Sequence, residues 1–153
     1  MPDSGWIAVD AMGGDDGLAV MLAGVARARH RYEGTHFFLV GDETAIREGL
    51  KAHPNLSQNS EIVHAPEVVG SSEKPSQAIR RAKKTSMGIA IDLVKQGRAA
   101  AAVSSGNTGA LMAMAKLSLR MLPGIDRPAL AARLPTLGDT DMVMLDLGAN
   151  TEC

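Results

Sequence analysis

Short apolar runs with strand character recur along this chain, and each of the first four is followed by a stretch with helical spacing. Residues 6–10, Trp-Ile-Ala-Val-Asp, read as a buried strand that ends in a glycine-rich turn. Leu18, Met21, Leu22, Val25 and Ala26 then fall on one face of a helix over 18–31. Residues 35–40 form a second strand, and Asp42 is placed to cap a short amphipathic helix. Residues 61–65 form a third strand, followed by a polar loop over 66–77. Pro75 opens a helix that runs through Lys84, with a break near Thr85 and Ser86. The helical pattern resumes over 87–97 and stops at Gly97. Residues 99–104 are strand by context alone, since alanine has little strand propensity. A helix over 108–122, an extended segment over 128–135 and a buried last strand over 141–148 complete the series.

Such alternation dictates an α/β chain of three αβα layers, with an open, mostly parallel sheet and helices on both faces. No repeat or linker divides it, so residues 1–153 read as one α/β part. The closing Gly-Ala-Asn-Thr-Glu-Cys resembles the entry to another strand–helix unit, with Asn150 or Thr151 as a cap. The sequence therefore reads as the N-terminal part of a longer protein, or a shortened version of one.

Composition removes several function classes. Sixteen basic residues nearly balance seventeen acidic ones, which argues against a nucleic-acid wrapper or a basic membrane-surface protein. Aromatic content of 3% leaves no stacking platform for bases. The single cysteine, Cys153, excludes a disulfide framework within one chain and points to a reducing cytoplasm. No signal peptide and no membrane-spanning apolar run is present. The four histidines lack metal-ligand spacing, and only His64, at a strand end, is placed for a site role. The methionines of the 108–122 helix, Met112, Met114 and Met121, read as core packing.

Ligands in open α/β sheets bind beyond the carboxyl ends of the strands. Three polar clusters lie at such ends: residues 10–15 with Asp10, Gly13, Gly14 and Asp15; residues 104–109; and residues 146–150 with Asp146 and Asn150. In a parallel sheet all three face one edge. Ser104, Ser105, Gly106, Asn107, Thr108 and Gly109 lead directly into a helix. Free backbone N–H groups and the positive end of the helix dipole suit a phosphate or carboxylate there. The same residue types serve equally well as a plain helix cap in a tight turn. The first cluster is no dinucleotide fingerprint, because it lacks G-x-G-x-x-G and Asp15 would repel a pyrophosphate, and no P-loop, because no Gly-Lys-Ser/Thr follows. Arg80, Arg81, Lys83 and Lys84 form a basic run, which is either a solvated helix face or a patch for a phosphate or an acidic partner. Ser86, at the helix break, can join an anion site.

Six segments occur in order: IAVDAMGGD, LVGDETAI, AIRRAKKTSM, SSGNTGALM, GIDRPALA and DLGAN. Together, over Ile7 to Asn150, they closely resemble the N-terminal half of the phosphate acyltransferases of bacterial phospholipid synthesis (the PlsX family). The resemblance implies a fold similar to isopropylmalate dehydrogenases and phosphotransacetylases, and transfer of an acyl group from acyl-carrier protein to inorganic phosphate. It implies no cofactor and no metal, a homodimer, a cytoplasmic protein that associates peripherally with membranes, and a functional link to a membrane glycerol-3-phosphate acyltransferase. It assigns Ser105, Gly106, Asn107, Thr108, Gly109 and Lys83 to phosphate binding. Asp10, Gly13, Gly14, Asp15, Ser86, Asp146 and Asn150 organise the site, and Arg80, Arg81 and Lys84 dock the acidic carrier protein. The family's second half is absent, and an incomplete cleft leaves two alternatives: an acyl-coenzyme A enzyme of the phosphotransacetylase kind, or a non-catalytic module that holds phosphate or carrier protein.

Overall fold

A computed structural model describes residues 5–147. These divide into two units, one ending at Leu119 and the other beginning at Arg120. The first unit holds a four-stranded parallel sheet: β1 (Trp6–Asp10), β2 (His36–Gly41), β3 (Ser60–His64) and β4 (Ala101–Val103), in the spatial order β3-β2-β1-β4. Val9 lies level with Leu39 on β2 and with Val103 on β4, which fixes the register of the three strands. Six helices surround or follow the strands: α1 (Gly17–Arg31), α2 (Glu43–Leu50), α3 (Pro54–Ser57), α4 (Pro75–Arg80), α5 (Ser86–Lys95) and α6 (Thr108–Leu119).

Strand side chains alternate between faces. Val9, Phe37 and Leu39 pack with Leu22 and Val25 of α1, Ile46 and Leu50 of α2 and Leu56 of α3. Ala8, Phe38 and Val40 face the other way and pack with Ala90 and Leu93 of α5 and with Ala65 and Ala99. Both faces of β1 and β2 are thus covered, which is why these strands are continuous apolar runs. The small residues Ala8, Ala90 and Ala99 bring α5 close to the sheet. A third cluster, with Ala78, Met87, Ile91, Ala110 and Met114 at its centre, joins α4, α5 and α6.

Several local expectations hold. The Asp42 carboxylate accepts the Ala45 N–H at 2.7 Å and caps α2. Gly97 sits just past α5 at φ +73°, and the Arg98 N–H reaches back to the Leu93 carbonyl at 3.0 Å. Met114 is buried, as a core methionine should be.

Three expectations need correction. The helix from Pro75 ends at Arg80, not Lys84, and a 3-10 turn over Ala82–Lys84 follows. Thr85 still starts the next helix, because its hydroxyl accepts the Gly88 N–H at 3.2 Å. The 108–122 helix ends at Leu119, with Arg120 at φ +67°. Pro123 disfavours helical backbone at Leu122, so the apolar spacing outruns the helix and leaves Met121 beyond it. Finally, the last strand does not extend the parallel sheet. β5 (Ala131–Leu134) and β6 (Met142–Leu145) pair antiparallel in a separate two-stranded ribbon of the second unit. Residues 142–145 are exposed, not buried. Their apolar character suggested burial, but each face of a two-stranded ribbon needs a covering layer that these two strands do not supply.

Leu39 has no exposed surface and lies at the centre of the first core face. Leu39→Ala is expected to cost about 3 kcal/mol. Asp42→Ala, which removes only a cap, is expected to cost about 1 kcal/mol. Urea unfolding of the three proteins checks both values and their order.

Candidate functional site

From β1 the chain moves outward through β2 to β3, then returns to the other side of β1 to form β4. The strand order therefore reverses between β1 and β4, and a crevice opens there beyond their carboxyl ends. The loops that follow these two strands are the first two polar clusters. They are joined through Asp10, which is 1% exposed. The Gly13 N–H donates to Asp10 Oδ1 at 3.1 Å, and the Ser104 hydroxyl donates to Oδ2 at 2.8 Å. Ser104 Oγ in turn accepts the Gly106 N–H at 3.1 Å. The Ser105 hydroxyl crosses back and donates to the Gly13 carbonyl at 3.0 Å. The contact leaves no room for larger residues in the first loop. A Cβ on Gly13 would lie 2.5 Å from Asp10 Oδ2, and one on Gly14 would lie 2.4 Å from Ser105 Oγ.

Gly14, Asp15, Ser71, Ser105, Gly106, Asn107 and Thr108 line an open cleft of about 260 Å³. Helix α6 begins in it. Among the described residues, the Thr108 and Gly109 amides have no protein acceptor. The positive end of α6 is thus presented to the cleft, while the Asp15 carboxylate works against an anion. Asn107 acts as the N-cap: its Oδ1 accepts the Ala110 N–H at 2.9 Å. Its Nδ2 donates to the carbonyls of Gly70, Ser71 and Glu73 at 3.3, 3.0 and 2.8 Å. Both ends of this side chain are occupied by protein, so what it offers a ligand is its backbone. Gly109 has a packing reason to be small, since a Cβ there would lie 3.2 Å from Pro75 Cγ.

The basic run separates into different environments. The Arg81 guanidinium holds Glu73 through Nε at 3.2 Å and Nη2 at 2.8 Å. It also holds Glu67 through Nη1 and the Val68 carbonyl through Nη2 at 3.1 Å. Its hydrogen bonds hold the Glu73 carboxyl below the ordinary glutamate range, against a smaller upward effect of desolvation. The same bonds to Glu73, then Glu67, push the guanidinium up. Arg80 and Lys84 are exposed and lie in no ion pair among the described residues. Lys83 does not line the cleft. It borders a separate groove of about 500 Å³ with Ile79, Ile89, Ile91, Met114 and Leu117. Ser86 is fully buried at the start of α5, and its hydroxyl has no partner among the described residues. Asp146 lies in the second unit, where it accepts the Leu130 N–H at 3.0 Å; Asn150 lies outside the described residues. His64 Nδ1 faces the Glu43 N–H at 3.4 Å, at the start of α2.

The sequence reading missed Ser71 and Glu73. The only signal for them was a polar loop just ahead of an arginine run, which carries no geometry.

The sequence pattern of the family described as "Fatty acid synthesis protein" matches residues 6–153. The chain belongs to this family. Curated relatives named phosphate acyltransferase include that of Erythrobacter litoralis, 64% identical over 146 residues, or 95% of this chain and 41% of the relative. Those of Azorhizobium caulinodans and Nitrobacter hamburgensis are 57% and 53% identical, over 94% and 97% of this chain. They too are covered only to 41% and 42% of their length, so the chain spans about two fifths of these relatives. Their shared name supports an acyltransferase. The matched region includes the interlocked β1 and β4 loops. No helix among the described residues is long and apolar enough to cross a membrane.

Asp10→Ala would leave the Gly13 N–H and the Ser104 hydroxyl without their acceptor in a buried place. A loss of about 2 kcal/mol in urea unfolding is expected. The Glu73–Arg81 pair predicts a pH effect. The unfolded chain protonates Glu73 at its ordinary pKa and the folded chain only at a lower pH. The stabilisation is therefore complete above the ordinary value and is lost as the pH falls through the depressed one. Arg81→Gln should make stability fall less between neutral and acid pH than in the unaltered chain, as read by thermal unfolding across that range.

Proposed function

We propose that this chain is the phosphate-binding part of an acyltransferase that makes acyl phosphate from acyl-carrier-protein thioesters and inorganic phosphate for phospholipid synthesis. The observation that carries the reading is the start of α6 at the strand-order reversal, with Thr108 lining the cleft and the Thr108 and Gly109 amides without a protein acceptor among the described residues. Phosphate is the nucleophile in such a reaction, so the protein needs a cradle for it and not a nucleophilic side chain. A phosphate oxygen adds to the thioester carbonyl carbon, the tetrahedral intermediate collapses, the carbon–sulfur bond breaks, and the carrier thiolate leaves and takes up a proton. The protein's part is to place phosphate against that carbon and to stabilise the developing oxyanion. Backbone amides of Ser105, Asn107, Thr108 and Gly109 and the Thr108 hydroxyl are the proposed donors, while the Gly106 amide is taken by Ser104 Oγ. Asp10, Gly13, Gly14 and Ser104 shape the cradle without touching the anion.

Arg80 and Lys84 remain suited to dock an acidic carrier protein, whereas Arg81 is committed to Glu67 and Glu73. Lys83, at the apolar groove, serves docking better than phosphate binding. A homodimer, cytoplasmic residence with peripheral membrane contact, and hand-over of acyl phosphate to a membrane glycerol-3-phosphate acyltransferase complete the proposal.

Calorimetric titration with phosphate should show saturable binding that Thr108→Val weakens several-fold while the thermal midpoint moves little. With the acyl thioester of acyl-carrier protein added, thiol release should rise with phosphate concentration and exceed release from acyl-coenzyme A. Thiol release that ignores phosphate would mean a thioesterase and sink the reading. Equal or faster reaction of acyl-coenzyme A would reassign the donor.

A further inference from the structure

The loop between β3 and α4 carries Ser71 into the cleft that is otherwise lined by the β1 and β4 loops. The loop has no helix or strand of its own over Gly70 to Lys74, yet it is anchored three ways. The Asn107 amide ties the carbonyls of Gly70, Ser71 and Glu73 to the cap of α6. The Arg81 fork spans Glu67, Val68 and Glu73 from the other side. The Ser86 N–H holds the Glu67 carbonyl at 2.9 Å. This many charged and polar bonds on so short a loop exceeds what capping α6 requires. The cap itself uses only Asn107 Oδ1. Among the described residues, the Ser71 hydroxyl is not bonded to protein, and the residue is exposed to the cleft.

We infer that Ser71 is a phosphate ligand from a third loop and that Arg81 and Asn107 are the positioning residues that hold it in place. The inference rests on the phosphate reading of the cleft. Ser71 donates its hydroxyl to a phosphate oxygen, adding to the donors that α6 provides. Arg81 acts at a distance by removing the loop's freedom, so phosphate meets a formed wall and does not have to order one. A lysine would not replace it, because one ammonium lacks the planar fork that grips Glu73 at two atoms and Glu67 at the same time.

The test combines phosphate calorimetry with hydrogen exchange over residues 66–75, on the 153-residue chain. Ser71→Ala, at an exposed position, should weaken phosphate binding about tenfold and leave loop exchange unchanged. Arg81→Gln should weaken it comparably and accelerate exchange, and Arg81→Lys should restore neither property fully. The double variant should bind no worse than Arg81→Gln alone, because both act through one contact. Fully additive losses, or unchanged affinity in Arg81→Gln despite rapid loop exchange, would overturn the inference. So would an effect of Ser71→Ala below twofold, which still reads out should Arg81→Gln fail to fold. Absence of phosphate binding by the unaltered chain would instead overturn the phosphate reading, and loop exchange in Arg81→Gln would still report whether Arg81 holds the loop.

Discussion

A carboxylate with almost no exposed surface must be hydrogen-bonded where it sits, and Asp10 meets that demand by joining two loops that are remote in sequence. One oxygen folds the β1 loop back on itself through Gly13, and the other takes the Ser104 hydroxyl from the β4 loop. The rest of the cleft depends on this bridge. Ser104 gives its proton to Asp10 and accepts the Gly106 amide with the same oxygen. Ser105 can reach the Gly13 carbonyl only because Gly13 and Gly14 lack side chains. Both oxygens of Asp10 are thus occupied inside the loops.

The parallel sheet makes this bridge possible. β1 and β4 are neighbours in space with some ninety residues between them, and their pairing sets Val9 level with Val103. Asp10 and Ser104 follow directly and meet at the same height. Chain alternation thus produces strand order, strand order produces a reversal next to β1, and the reversal places two glycine-rich loops side by side. Helix packing does the remaining work. The buried Met87 of α5 comes close to the β4 loop, where a Cβ on Gly106 would lie 3.2 Å from its methyl carbon.

Much of this was legible in the sequence because it follows from periodicity and cap chemistry. The strands β1 to β4, the Asp42 cap and the stop at Gly97 are each written in a few adjacent residues. The first two glycine-rich clusters share an edge because the sheet is parallel. What was illegible depends on where side chains go after the backbone turns. Arg81 looks like its neighbours Arg80 and Lys84 in a basic run, and only the 3-10 turn over Ala82–Lys84 separates their surroundings. Ser71 has no pattern of its own and gains a role through three carbonyls on its loop. β6 carries the composition of a buried strand, yet pairs in a two-stranded ribbon, because apolar alternation records strand character without naming a partner.

The Asn107 cap at the α6 entrance does not by itself exclude an anion there. A helix start presents several unpaired N–H groups, and a cap side chain satisfies one or two of them. Asn107 Oδ1 takes the Ala110 amide, deep in the first turn, and leaves those of Thr108 and Gly109 without a protein acceptor among the described residues. A cap that accepted from Thr108 or Gly109 would have used up the donors at the very start of the helix. Capping farther along stabilises α6 while its most exposed donors stay available, and the same residue's amide nitrogen fixes the neighbouring loop. In the proposed phosphate reading, the helix end and the binding site are one device, whose structural half is carried by a side chain and whose functional half is carried by the backbone.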